Sequence, residues 1–582
     1  MELSAIYHSM DKRFCYALSK GKFLFRLQVK KDDIVAASLH YRDKYLPLHL
    51  NDTRRCIPMK KIASGTYHDY YEVETDVDVI CLRYFFEITS YDGEKIYYGN
   101  YRFFDEPIND NGYMFDLPQN LREEECFDVP QWAKNSVVYQ IFPSRFATTE
   151  DVPDDVWYKT PIHHTDNLKG NLKGLISKLD HIKELGADVV YMTPVFESDS
   201  SHKYDTNDYM KIDSSFGTKE DLKELVAKAH SLDMKVILDG VFNHTSTKFF
   251  AFKDVIEKGA ASEYCDWYYI EDYPVVQTHE VKPNFKTFSY YYGMPKLNLS
   301  NPATREYFIN VGKYWIEECD IDGWRLDVGD EISHDFWKAF RKAVKSVKSD
   351  CLIVGEIWHY AGDFLEGDEW DSVMNYHFQT CVADFINTKR LNASGFVGQM
   401  GWMRGNSHKE AYKALLNLID SHDTTRFLHT CNNSKNKLRI AAALQLLMPG
   451  AAMIYYGDEV GLTGGADPDC RRGMLWDKEK QDLELFEYYK KLIQLRKEYP
   501  WITDGEISSV YTDDKNDVIL IKRETAHTKG AVIIHNNRKT CTLPSSVISD
   551  IAGNNCDIIN LVNNSTFDGT LKPYDVIVID IK

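Results

Sequence analysis

The sequence predicts an α/β protein whose centre is a closed (β/α)8 barrel of the TIM type, carrying a small inserted domain and flanked by N-terminal and C-terminal β-sandwich domains. Three observations carry this prediction. Short apolar runs alternate with amphipathic helical stretches eight times between residues 137 and 455. Before residue 125 and after residue 504, apolar and polar positions alternate at strand period instead. No Gly-rich phosphate turn follows the first central run, which disfavours a doubly wound open sheet.

Taken in order, the segment 1–125 contains strand-like runs such as Phe23-Leu24-Phe25-Arg26-Leu27-Gln28-Val29 and Val79-Ile80-Cys81-Leu82-Arg83-Tyr84-Phe85-Phe86. Turn signals at Lys31-Asp32-Asp33 and Asp92-Gly93 separate such runs, as in a β-sandwich. The acidic Glu123-Glu124-Glu125 opens a linker that ends near Pro130. The central unit, 126–503, has strand-like runs at 137–142, 189–192, 236–238, 323–326, 352–354, 372–374, 415–419 and 452–455. Helical periodicity marks 172–185 and 219–232 among the segments between them. An insertion at 245–300, rich in Tyr and Phe, reads as a small excursion over one barrel face. The most apolar stretch, 440–456, is interrupted by Gln445 and Pro449-Gly450 and is short for a bilayer span; it reads as a buried helix turning into a buried strand. After Tyr499-Pro500 the helical pattern stops, and runs such as Val518-Ile519-Leu520-Ile521 and Ala531-Val532-Ile533-Ile534 predict a C-terminal sandwich over 504–582.

Composition narrows the function classes. Hydrophobic residues at 43% and charged residues at 27% are ordinary for a globular chain. A formal net charge of -19 repels phosphate backbones, so nucleic acid is excluded as a partner while a neutral ligand is tolerated. The 37 Tyr, 29 Phe and 11 Trp can fill large cores, and polar-rimmed rings also stack on sugar faces. Twelve cysteines without a Cys-x-x-Cys pair suggest neither zinc nor redox chemistry. They fit a reducing compartment; with no signal-peptide pattern and no membrane span, the expectation is a cytoplasmic protein.

In a parallel barrel, reactive groups gather where the strands end. The third run delivers Asp239, with Asn243 and His244 just beyond. The fourth ends Gly323-Trp324-Arg325-Leu326-Asp327, the fifth Val354-Gly355-Glu356-Ile357-Trp358, and the seventh Asp420-Ser421-His422-Asp423. Any one of these acids alone reads as a loop residue or helix cap. Their coincidence on one rim points to a site. Arg325 and Asp327, two apart on a strand, face the same side, and the guanidinium would hold Asp327 ionised as a nucleophile requires. Glu356 emerges between Gly355 and the apolar pair Ile357-Trp358, the partly desolvated setting that suits a proton donor. Two carboxyls in unlike surroundings suit glycoside cleavage. His244 and His422 are either buried structural groups or donors to sugar hydroxyls.

These blocks, with Asp239-Gly240-Val241-Phe242-Asn243-His244 and Met294-Pro295-Lys296-Leu297-Asn298, resemble the α-amylase superfamily. Within it, the chain closely resembles the neopullulanase, cyclomaltodextrinase and maltogenic amylase branch over nearly its whole length. The resemblance implies a retaining hydrolase of α-1,4-glucosidic bonds, with possible action on α-1,6 bonds. Its substrates would be cyclomaltodextrins, maltooligosaccharides and pullulan, with transglycosylation as a side activity. Asp327 would be the nucleophile, Glu356 the acid and base, and Asp423 the group that grips the distorted sugar. Arg325, His244 and His422 would support that subsite, and Tyr204 would stack beneath its glucose. Asp467 and Arg471 would bind sugars further toward the non-reducing end, and Trp358 would face the acceptor side. The N-terminal sandwich would pack over a partner's cleft in a homodimer, favouring small cyclic or short linear substrates.

Departures are also visible. Gly329-Asp330-Glu331 stands where the branch commonly has Ala-Asn-Glu, and Thr425 where Glu or Pro is more common. Relatives that bind calcium carry an Asn- and Asp-rich segment after the first strand. Here Ser144-Arg145-Phe146-Ala147-Thr148-Thr149 and Gly170-Asn171 have lost ligand charge, so no metal or other cofactor is expected to be required. Two alternatives share the sequence features: a chain that is mainly a 4-α-glucanotransferase, and a non-catalytic carbohydrate-binding relative. The second typically lacks one of the three acids, all of which are present.

Overall fold

The computed structural model describes residues 1–47, 54–118, 126–553 and 557–581. The expected linker at Glu123-Glu124-Glu125 lies outside the described residues.

The N-terminal part is two antiparallel sheets face to face. One is ordered Cys15–Ser19, Lys22–Lys30, His68–Asp76, Lys60–Ser64. The other contains Arg55–Pro58, Ile34–Asp43, Cys81–Ser90, Lys95–Tyr98 and Phe103–Phe104, with Phe115–Pro118 also paired to Cys81–Ser90. Period-2 alternation sends Phe23, Phe25, Leu27, Leu39, Phe86 and Ile88 into the layer between them. Lys22–Lys30 is buried on its other face too, because that face meets the central barrel helix Ala393–Asn406. Arg26, fully buried, donates to Glu72 and to the carbonyl oxygens of Gly405 and Ser407. Arg404 from that helix binds Glu72 through two nitrogens, at 3.0 and 2.9 Å. Small residues allow the close approach: a Cβ at Gly401 would lie 2.0 Å from the Ser64 carbonyl oxygen.

The centre is a closed parallel barrel of eight strands in chain order. They are β1 (Val137–Ile141), β2 (Val189–Met192), β3 (Lys235–Gly240), β4 (Gly323–Leu326), β5 (Leu352–Gly355), β6 (Ser372–Asn375), β7 (Leu416–Asn417) and β8 (Ala451–Tyr455). All eight expected runs are strands, because strands covered by helices on one side and filled from the other read as continuous apolar stretches. Residues 440–456 are the end of helix Lys435–Leu447, a turn with Gly450 at φ 111°, and β8.

Helix Lys219–Ser231 carries a capping box between Thr218 and Asp221 and ends within a residue of expectation. The helix expected at 172–185 is two, Leu172–Ile176 and Leu179–Leu185. The Ser177 hydroxyl donates to the Gly174 carbonyl oxygen at the break. The insertion contains helix Phe250–Lys258 and is tied down by isolated bridges, among them His244 to Lys296 and Thr287 to Pro295.

The C-terminal part is sheet-rich, with antiparallel strands ordered Glu506–Asp513, Val518–Glu524, Lys529–His535, Val576–Ile581. Its second layer differs from a simple sheet: it comprises two short ribbons and the helix Ser545–Ala552. Val547, Ile548 and Ile551 place an apolar stripe at helical spacing on this core. Among the described residues, no helix is long and apolar enough to cross a membrane.

Candidate active site

Strand register builds the centre. Asp239 on β3 lies opposite Arg325 on β4, so the two side chains share a face and meet inside the barrel mouth. Arg325 Nη1 lies 2.9 Å from Asp239 Oδ2 and 2.9 Å from Asp327 Oδ1, while Nη2 lies 2.7 Å from Glu356 Oε2. One guanidinium therefore touches three carboxylates from three adjacent strands. Glu356 Oε2 also accepts from the Val328 N–H at 3.0 Å, and its Oε1 accepts from Trp358 Nε1 at 3.1 Å. Asp327 and Glu356 are each 6% exposed, so the partial desolvation expected of Glu356 extends to its neighbour.

Asp423 completes the centre from the loop after β7. Its Oδ2 lies 3.1 Å from His422 Nε2 and its Oδ1 3.3 Å from Arg471 Nη2. Arg471 bonds onward to Asp467 at 2.8 Å and to the His422 carbonyl oxygen at 2.8 Å. Tyr204 lies flat against His422, with ring planes 5° apart, and its hydroxyl reaches Asp239 Oδ2 at 3.1 Å. His244 is fully buried, stacked on Phe288, and its Nε2 has no protein partner. Trp358, 53% exposed, stands at the outer edge on Tyr376. Asn243 is held away from the acids by Lys296 and by Glu331, to which it donates at 2.9 Å. The structure thus gathers the three acids with Asp239, Arg325, Tyr204, His422 and Arg471; His244, Asn243, Trp358 and Asp467 form the surrounding wall.

Electrostatics correct one expectation. Burial dominates at Asp327 and pushes its pKa well up; Arg325 opposes the rise, while Glu356, Asp239 and Asp423 add to it. Arg325 cannot hold Asp327 ionised by itself, because it is shared with Asp239 and Glu356. Burial likewise raises Asp239 to about 6, against the pull of Arg325 and Tyr191. Burial raises Asp423 too. Arg325 is thus shared among Asp239, Asp327 and Glu356, while Asp423 has a separate cation, Arg471. His244 is pushed down to about 3 and His422 well below its ordinary value, both by burial, so both rings are neutral near pH 7.

Two supporting residues escaped the sequence reading. Gln140 on β1 donates to His422 Nδ1 at 2.9 Å, which leaves Nε2 as the protonated nitrogen facing Tyr204 and Asp423. Tyr191 on β2 donates to Asp239 Oδ2 at 2.7 Å. A lone polar residue in the apolar run Val137-Val138-Tyr139-Gln140-Ile141 was a legible signal of the first. In the segment considered for metal, Asn171 Oδ1 caps the helix at Leu172 by accepting from the Gly174 N–H. Among the described residues, no group of three His, Cys, Asp or Glu side chains is placed to hold a metal ion.

Comparison with known proteins places this geometry. The model of the alpha amylase catalytic domain matches residues 140–505, and that of the alpha amylase N-terminal ig-like domain matches residues 1–119. The chain belongs to the alpha-amylase family. Within this family it is 39% identical to Neopullulanase 2 of Thermoactinomyces vulgaris over 93% of this chain and 92% of that one. It is 38% identical to the intracellular maltogenic amylase of Bacillus subtilis strain 168 over 90% of this chain and 89% of that one. A solved cyclomaltodextrinase structure superposes with a TM-score of 0.90 at 35% identity, covering 100% of this chain and 98% of that one. This alpha-amylase family chain carries the family's catalytic domain and is an enzyme of the glycoside hydrolase class.

Proposed function

We propose that the protein is a retaining hydrolase of α-1,4-glucosidic bonds in cyclomaltodextrins, maltooligosaccharides and pullulan, with transglycosylation as a side reaction. The observation that carries this reading is the single guanidinium of Arg325 in contact with both Asp327 and Glu356. Such close pairing suits the double-displacement route, which needs carboxyls about 5–5.5 Å apart and no water between them.

In the first step an Asp327 carboxylate oxygen attacks the anomeric carbon while Glu356 gives its proton to the glycosidic oxygen; the C–O bond to the leaving sugar breaks. In the second step Glu356 takes a proton from water, whose oxygen displaces Asp327 from the anomeric carbon. The route requires one proton on the pair, carried by Glu356 as Asp327 attacks. Asp423, fixed by His422 and Arg471, would accept from the ring hydroxyls of the distorted sugar. The unpartnered Nε2 of His244 is a group for a further hydroxyl. Tyr204 offers its ring face beneath the glucose.

The aromatic rings of Tyr204 and Trp358 at the site fit short or cyclic glucans. We further propose a homodimer in which the N-terminal sheets of one subunit border the other's cleft, and a cytoplasmic location, to which twelve scattered cysteines without a Cys-x-x-Cys pair are suited.

Asp327→Asn is expected to lower turnover of maltotriose and β-cyclodextrin by about 10³-fold or more, since the covalent route is lost. NMR of early wild-type products is expected to show the α-anomer. An initial β-anomer, or a variant of undiminished activity, contradicts the assignment.

A further inference from the structure

Two buried acids that the proposed reaction does not use face each other between the loops after β7 and β8. Asp420 lies in the first loop and Asp458 opens the short turn Asp458–Val460 in the second; they are 1% and 3% exposed. Each has one oxygen satisfied: Asp420 Oδ2 accepts from the Phe427 N–H at 2.6 Å, and Asp458 Oδ1 accepts from Arg426 Nη1 at 3.0 Å. The other two oxygens, Asp420 Oδ1 and Asp458 Oδ2, are buried and meet no donor from a third residue. The two carboxyls lie within hydrogen-bonding reach of each other. Ionised carboxylates only accept, and two like charges this close in a dry site cannot both persist. One proton between them satisfies both remaining oxygens and leaves a single negative charge for the single guanidinium of Arg426. Burial, and after it the charge of Asp420, pushes the Asp458 carboxyl well up, which puts the proton on Asp458. The neighbouring groups do not substitute for it. Glu459 is turned away, accepting from the Tyr139 hydroxyl at 2.8 Å and the Gly457 N–H at 2.9 Å and lying 3.1 Å from His181 Nε2. Burial keeps the Tyr489 hydroxyl and the Cys431 thiol, which also face the pair, neutral.

Two routes tie this pair to Asp423. The bond from the Phe427 N–H to Asp420 closes the loop that carries Asp423, and within it the Ser421 N–H donates to Thr424 Oγ1 at 2.9 Å and the Asp423 N–H to Ser421 Oγ at 3.2 Å. On the other side, Arg426 Nε donates to the Cys470 carbonyl oxygen at 2.8 Å, and the next residue, Arg471, is the cation that touches Asp423. We propose that Asp420 and Asp458 share one proton, held on Asp458, and that the resulting singly charged pair, closed by Arg426, is a positioning device for Asp423. The positioning role rests on the reading of the enzyme as an α-glucan hydrolase in which Asp423 grips the distorted sugar; the shared proton does not.

Asp458→Asn keeps an N–H donor for Asp420 and an oxygen for Arg426, and so imitates the protonated acid; Asp458→Ala removes both. On β-cyclodextrin, Asp458→Ala is expected to lower kcat about a hundredfold while KM moves less than about threefold, because Asp423 acts on the distorted sugar, and Asp458→Asn is expected to restore kcat to within about threefold of wild type. If Asp458→Ala does not fold, Asp458→Ser takes its place. Infrared difference spectra of wild type minus Asp458→Asn at pH 7 are expected to show the carbonyl stretch of one protonated carboxyl group. An Asn variant as slow as the Ala variant, or a truncated variant with wild-type kcat, overturns the positioning role. A difference spectrum that shows an ionised carboxylate in place of the protonated carbonyl overturns the shared proton. The spectrum does not depend on turnover, so a wild-type protein that cleaves no α-glucan sinks the functional reading separately.

Discussion

At the scale of single residues, the centre works through one cation shared among several acids. Removing Arg325 leaves Asp239, Asp327 and Glu356 buried together without compensation, so Arg325→Gln is expected to cost more than a hydrogen bond. A loss of about 3–5 kcal/mol in stability, with activity lowered by at least about a hundredfold, is the expected outcome. Thermal unfolding and initial rates on β-cyclodextrin measure the two; wild-type stability in the variant contradicts the shared-cation account. Asp327 and Glu356 were legible because each directly follows a strand that reads as strand on its own, and Asp423 because it lies in the loop that the seventh such run leads into. The upward shift of Asp327 was not legible: it depends first on burial and then on Glu356, Asp239 and Asp423, and both arise only when the barrel closes. Gln140 lay between the two cases, since its polarity was visible but not its partner.

Among elements, the helix Ala393–Asn406 joins the N-terminal sheets to the barrel through the buried trio Arg26, Glu72 and Arg404. Burial alone would raise the Glu72 pKa, but the two guanidinium groups outweigh it and bring the carboxyl from 4.5 to about 2. A depressed carboxyl contributes stability above its unfolded value, and that contribution disappears as pH falls from about 4.5 toward 2. The shift corresponds to about 3 kcal/mol. Glu72→Gln is therefore expected to be less stable than wild type at pH 7, with a gap that narrows between pH 5 and pH 3. A gap that is constant over that window, by melting temperature, argues against the linkage. Gly401→Val tests the same contact sterically, since its side chain meets the backbone at Ser64; a loss of about 1–3 kcal/mol is expected. Neither feature was legible, because Glu72 and Arg404 are 332 residues apart and no periodicity links them. The barrel strands were legible for the opposite reason: their apolar character is local. Helix Ser545–Ala552 was missed because two turns give too few repeats for helical period to stand out against strand period.

For the whole molecule, the N-terminal sheets have two duties that must be separated in any test. They cover barrel surface in the same chain, and under the proposed dimer they border a partner's cleft. Deleting them would expose Arg404 without Glu72 and destabilise the barrel whatever the oligomeric state, so the intact chain is the right object. Sedimentation is expected to give twice the chain mass at micromolar concentration. Metal is the other whole-molecule question. The chemistry proposed here uses carboxylates alone, so a divalent ion could act only on stability. In the segment where relatives collect acidic ligands, Asn171 carries no charge and is committed to its helix cap, while Glu150 pairs with Lys169 at 3.0 Å. Each carboxylate missing from such a shell removes a full charge facing a divalent ion, and carbonyl oxygens alone bind Ca²⁺ weakly. EDTA is therefore expected to leave both β-cyclodextrin turnover and melting temperature unchanged within error. A melting temperature that drops by several degrees with EDTA and returns on adding calcium would place a structural ion in this fold.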